Sequence, residues 1–226
     1  MTGRSAPSVL PPSLRAWLGS AAVLGALVVV VLGVLYAGHS RPGRVDARVS
    51  AMVYGVRPPW RYAALALDFL GEPQGAAILV ASAVAACLLL RRPRAAALVL
   101  VGLGASVGTA TLLKSVVGRT IHGGYLSYPS GHTAFATTLA LVAALVATER
   151  LGLDRRAGVP LVLGAALVAG AAMGWAEVAL GAHYPTDALG GWCTGLAVTP
   201  ATAWLVDRTA DRQAGRTADT GRREPH

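Results

Sequence analysis

Residues 17–37 form a run of 21 without a charged side chain. At about 1.5 Å per residue, a helix of that length crosses the roughly 30 Å hydrocarbon core of a bilayer. A secretory signal has a shorter apolar region, about 7–15 residues, so this run reads as an uncleaved span. Five more apolar runs follow, over 75–90, 95–117, 132–148, 159–180 and 186–206. A chain that must satisfy its backbone polar groups inside lipid has helices or a closed barrel to choose from, and runs of this length select helices. The expected fold class is therefore all-α, a polytopic membrane protein built as a six-transmembrane-helix bundle over residues 17–206. Residues 1–16 form a short segment before it, and residues 207–226 an Arg-, Asp- and Thr-rich tail expected to be disordered. Between the first two spans, Pro42, Pro58, Pro59 and Pro73 break the chain. A short helix over 60–70 is expected near the interface, and the second span is short unless it begins ahead of Pro73.

Composition argues against a soluble domain, a disulfide scaffold and a nucleic-acid binder. Charged residues make up 14% of the chain, against about 25% in soluble domains. The 54% hydrophobic content is mostly Ala, Val, Leu and Gly, with 6% aromatics, which suits closely packed membrane helices. Cys87 and Cys193 lie within apolar runs and form no disulfide framework. The net charge of +9 does not indicate nucleic acid, because the basic residues are scattered over connections without a stripe or binding motif. Anionic lipid head groups are the expected counter-charge. With six spans both termini share one side, which then carries 13 of the 20 basic residues. The positive-inside rule places that side in the cytoplasm of a cell-membrane protein, with the connections after spans one, three and five facing outward.

Those outward connections hold the chemistry. Tyr128-Pro-Ser-Gly-His132 opens the fourth span. Ser130 suits an N-cap, and free N–H groups at a helix start bind phosphate. Gly181-Ala-His183-Tyr-Pro-Thr-Asp187 joins the fifth and sixth spans. Its His and Asp are four apart, close enough for the carboxylate to orient the imidazole. Lys114, the only lysine among 20 basic residues, and Arg119 close the third span, and His122 follows. Two imidazoles, an acid, cations and helix-start amides are the equipment for phosphoryl transfer through a phosphohistidine. No metal or other cofactor is needed in that scheme. Taken singly, each residue also has a bland reading: a hydrated interfacial His, a capping Ser, a snorkelling Lys or Arg.

Pro129-Ser-Gly-His132, followed some 50 residues later by Gly181-Ala-His-Tyr-Pro-Thr-Asp187, resembles the type 2 phosphatidic acid phosphatase family. These are integral-membrane lipid phosphatases related to haloperoxidases and bacterial acid phosphatases. The resemblance covers residues 60–206. It implies a six-helix core with the active site at the outer membrane surface and a lipid phosphate as partner. It also implies His183 as nucleophile, Asp187 as its partner, and His132 as general acid. Lys114, Ser130 and Gly131 would hold the phosphate.

Two arginines of the family pattern are missing. The first motif, Lys, six residues, then Arg-Pro, would end at Ile121 and His122. The Arg expected six residues before the nucleophilic His is Glu177, preceded by Ala176. In one reading the chain is a divergent lipid phosphatase in which Arg119 and His122 take over phosphate contacts. Glu177 then pairs with Arg119 or Lys114, or binds a hydroxyl-bearing head group. In the alternative, the chain is a catalytically impaired lipid-phosphate-binding or scaffold protein. A transporter with Glu177 as proton relay is a third reading, and a plain interfacial anion the bland one.

Overall fold

The computed structural model describes residues 7–223, with side chains through Arg216. Its element order is α1 (Arg15–Leu35), α2 (Arg44–Val53), α3 (Trp60–Gly71), α4 (Pro73–Leu89), α5 (Pro93–Val117), β1 (Thr120–Ile121), β2 (Tyr125–Leu126), α6 (Gly131–Arg150), α7 (Arg155–Leu180) and α8 (Pro185–Arg223). The protein is an all-α, multi-pass bundle. The helix from Pro12 to Leu35, α5, α6 and α7 are each long and apolar enough to cross a membrane. The pair α3–α4 passes the same test as one broken span, bent by 66°. The short second run thus starts at Pro73, and the missing length sits in α3 across the bend.

The helix that carries the sixth apolar run, α8, packs against α1, α5, α6 and α7. It is the least apolar of the six because its polar residues face the middle of the bundle rather than lipid. Thr194, Thr199 and Thr202 are buried, and their hydroxyls donate to the carbonyls of Gly190, Gly195 and Val198 one turn earlier. Oγ1 of Thr199 also lies 3.1 Å from Oγ1 of Thr138, which is 2.9 Å from Oγ of Ser106, so a hydroxyl chain links α8, α6 and α5. Backbones approach closely where side chains are small. A Cβ on Gly195 would lie 2.8 Å from Thr137 Cβ, so any larger residue there would push α8 off α6. The outward sides of α1 and α5 expose Val23, Leu24, Leu27, Leu100 and Leu112, as a lipid-facing surface requires.

At the end of the bundle where α8 leaves it, the tail departs from expectation. Residues 207–223 continue α8 as helix instead of disordered chain. The reason lies at Asp207, which is buried. Its carboxylate accepts from the backbone N–H groups of Val9 and Leu10 at 2.9 and 3.0 Å. Arg94 joins Asp207 at 3.4 Å and Asp211 at 2.7 Å. A helix so anchored at its base propagates, since only nucleation is costly. Residues 224–226 lie outside the described part.

At the opposite end, residues 38–59 contain a helix that proline spacing concealed. In α2, Asp46 at the third position accepts from the Gly43 N–H at 3.2 Å, stabilising the helix start. A two-stranded antiparallel ribbon, β1 with β2, pairs Thr120 with Leu126 and Ile121 with Tyr125. Both elements cover the rim formed by the ends of α5 and α7 and the starts of α6 and α8.

Candidate functional site

His132 is the second residue of α6. Ser130 caps that helix: its hydroxyl oxygen accepts from the Thr133 N–H at 3.2 Å and from the Thr133 hydroxyl at 3.0 Å. Ser130 is fully buried, so its oxygen serves the cap. Gly131 opens the helix with open space where a Cβ would stand, and the first-turn N–H groups are of the kind that bind anions.

His183 follows the end of α7. Gly181 ends the helix in the left-handed conformation, φ +80°, and Ala182 N–H returns to the Glu177 carbonyl at 2.8 Å. Only a residue without Cβ adopts that turn cheaply. The turn folds His183 back over the last turn of α7, where Glu177 sits. Nε2 of His183 is 3.3 Å from Oε2 of Glu177. The same oxygen is 3.9 Å from Nδ1 of His132. One carboxylate oxygen thus lies between two imidazoles brought from 51 residues apart in sequence.

Asp187 lies in the first turn of α8. Its Oδ2 is 3.7 Å from Nδ1 of His183, within ion-pair range though longer than a hydrogen bond. What holds this carboxylate is Arg119. Oδ1 of Asp187 accepts from Arg119 Nη1 at 2.5 Å, and Oδ2 from the Tyr184 N–H at 3.0 Å. Arg119 in turn donates to Asp46 at 2.6 Å and to the Thr186 hydroxyl at 2.6 Å. Tyr36 and Tyr184 cover its guanidinium, 4.0 and 4.6 Å from their ring centroids. Burial raises the Tyr184 phenol above its ordinary value, with Arg119 acting in the opposite sense.

This corrects two expectations. Arg119 does not pair with Glu177, and it is not placed to contact phosphate: the residue is fully buried and two carboxylates already match its charge. Spacing along a helix end puts Arg119 on the correct rim but does not tell which way a long side chain turns. Lys114, in the last turn of α5, interacts electrostatically with Glu177, Asp187 and His132. His122 is exposed, and its Nε2 is 2.6 Å from the Gly181 carbonyl. It braces the turn that carries His183.

Three site residues escaped sequence reasoning. Asp46 reaches the site from α2. Asp68 and Glu72 come from the end of α3 and the α3–α4 junction. Glu72 Oε1 is 3.9 Å from Nε2 of His132, and the Asp68 carboxyl lies within hydrogen-bonding reach of Glu177. A visible signal existed: two acids four apart, in an otherwise apolar stretch, share one side of a helical turn. Between them, Gly71 lies so close that a Cβ would overlap the His132 ring.

Residues 113–211 match the family model described as the PAP2 superfamily. The fold is similar to the crystal structure of a transmembrane PAP2-type phosphatidylglycerolphosphate phosphatase from Bacillus subtilis. The TM-score is 0.65, with 23% sequence identity over 84% of this chain and 96% of that one. No curated protein matches the sequence.

Proposed function

We propose that the protein, whose residues 113–211 match the PAP2 superfamily model, is a membrane phosphatase that removes phosphate from a lipid phosphate monoester or diphosphate through a phosphohistidine. The observation that carries this reading is the convergence of His183 and His132 on one point at a bundle rim, beside Lys114 and the start of α6.

In this reading Nε2 of His183 attacks phosphorus and the bond to the lipid oxygen breaks. His132 gives that oxygen its proton. Water then cleaves the phosphorus–nitrogen bond and releases inorganic phosphate. Asp187, held by Arg119, stabilises the imidazolium of His183. Lys114 and the first-turn amides of α6 carry phosphate charge.

An apolar groove of about 310 Å3 supports a lipid substrate. Leu67, Leu70, Phe135 and Met173 line it, each within about one helical turn of Asp68, Gly71, His132 or Glu177. A slightly larger apolar groove lies on another face of α7, along Gly170, Gly174, Val178 and Pro185, and neither groove is lined by a histidine. The basic residues concentrated on the opposite side favour a cell-membrane protein with cytoplasmic termini and an outward site.

One observation favours the lipid-binding or scaffold reading. The Glu177 carboxylate occupies the side of His183 from which phosphorus would have to be attacked. Phosphate release from a panel of polyprenyl and glycerolipid phosphates, using detergent-purified protein with and without chelator, separates the two. Release that disappears in His183→Ala supports the phosphatase. Lipid-phosphate binding without release by wild type supports the scaffold.

A further inference from the structure

The histidine site carries more negative charge than a site for an anion should. Asp68, Glu72 and Glu177 are arranged around His132, with Lys114 the cation acting on them and His183 beyond Glu177. One oxygen of Asp68, one of Glu72 and one ring nitrogen of His132 all lie within 4.8 Å of one another. We propose that Asp68, Glu72 and His132, backed by Glu177, form a binding site for one divalent cation of the Zn2+ or Mn2+ class. Its role, neutralising substrate phosphate, rests on the phosphatase reading; the binding itself does not.

Glu177 supplies the independent observation. Its side chain is 1% exposed, and Oε1 is buried without a hydrogen-bond partner. The nearest acidic group across the gap is Asp68, another carboxyl. Glu177 is buried and Asp68 half-buried, and two carboxylates so placed repel unless a proton or a cation lies between them. Nε2 of His132 is likewise buried and unpartnered, 3.9 Å from Glu72 Oε1. Two ligands each about 2.1 Å from one ion stand at most about 4.2 Å apart, so this pair already spans an ion.

The donor set chooses the metal. An imidazole nitrogen among carboxylates suits Zn2+ or Mn2+, whereas Mg2+ and Ca2+ favour oxygen donors alone. The backbone assists. The 66° bend between α3 and α4 sets Glu72 beside His132, and Gly71 leaves room for the ring. Bound through Nε2, His132 keeps Nδ1 on the His183 side of its ring for proton donation.

The test is calorimetric titration of EDTA-treated, detergent-purified full-length protein with ZnCl2 and with MnCl2, and elemental analysis for stoichiometry. One ion per chain is expected, with affinity about 10–100-fold weaker in Asp68→Asn and in Glu72→Gln. Both variants are isosteric and keep the helices, which a melting curve verifies. His183→Ala keeps wild-type affinity, because His183 is not a ligand. Failure of wild type to bind either ion below millimolar concentration overturns the site, as does binding unchanged in both variants. Binding as expected, with lipid-phosphate turnover that EDTA leaves intact, overturns the role toward phosphate. Binding as expected in a protein that releases no phosphate from any lipid supports the site and sinks the phosphatase reading instead.

Discussion

Oε2 of Glu177 lies 3.3 Å from Nε2 of His183, and both residues are buried. An imidazole nitrogen that faces a carboxylate is polarised as a base but shielded as a nucleophile. Phosphate reaches His183 only when Glu177 is neutralised or drawn aside, and Asp68 and His132 are the groups positioned to do either. Access to the nucleophile therefore depends on the α3–α4 bend as much as on the histidine motifs.

The two histidines should separate by substrate. His183→Ala is expected to abolish phosphate release altogether. His132→Ala should cost about 10²–10⁴-fold on a lipid alkyl phosphate, the typical worth of a positioned acid. On an aryl phosphate with a good leaving group the loss should be much smaller. Release rates for both substrates with both variants decide this, and equal losses on the two substrates would remove the acid role from His132.

Asp46 tests the buried charge cluster. Removing it leaves Arg119 with Asp187 as its remaining carboxylate, inside a fully buried setting. Breaking such a pair costs about 3–5 kcal/mol. Asp46→Ala should lower the melting temperature in detergent clearly, and more than Asp46→Asn, which keeps an acceptor for the Thr186 N–H now donating at 2.9 Å. A melting curve that does not move would mean that Arg119 is held by Asp187 alone.

Much of this architecture was legible. Each of the six apolar runs became a helix, the first five within a few residues of the expected limits and the sixth extended by its tail to Arg223, because apolar length is set by bilayer thickness. The motifs also carried their own turns: Ser130 caps α6 as expected, and Gly181 ends α7 in the left-handed conformation. The partners of the charged residues were less legible. Asp46 and Asp187 both hold Arg119, across 73 and 68 residues, and no local pattern encodes either pairing. The helical tail was hidden for the same reason, since Asp207 owes its burial to Val9 and Leu10 at the far end of the chain.

That tail anchor is itself testable. Asp207→Ala leaves two buried backbone N–H groups without their acceptor and Arg94 with Asp211 alone. Each orphaned donor costs about 1–3 kcal/mol, so a lowered melting temperature is expected, with no change in the affinity of the distant histidine site for phosphate. Thermal melting and a phosphate-binding titration on the same preparation separate the two effects.

Orientation follows from the basic residues. Tyr125, in the ribbon beside the histidine site, and Leu151, after α6, are both exposed. Cys87 and Cys193 are buried and give little background. A membrane-impermeant thiol reagent on intact cells should label Tyr125→Cys and spare Leu151→Cys. The reverse pattern would place the site on the cytoplasmic side and leave the charge asymmetry without its topological meaning.

Replacing Glu177 by arginine bears on both the site and its charge. Glu177 now presents an anion toward both imidazoles and toward Asp68. Glu177→Arg turns the Asp68–Glu177 confrontation into an ion pair and gives phosphate a fixed cation beside His183. The longer side chain must fit where Glu177 is 1% exposed, so an overpacking cost of about 1–3 kcal/mol is expected in melting. Divalent-ion affinity should fall, because Asp68 is then engaged and the local charge reversed. Turnover of simple lipid phosphates should become less sensitive to EDTA than in wild type, while the native substrate, if Glu177 selects its head group, should be processed more slowly. A scaffold would instead gain phosphate affinity with no turnover. Binding, EDTA sensitivity and substrate preference all unchanged from wild type would show that position 177 lies outside the working site, against the 3.3 Å approach of its carboxylate to His183.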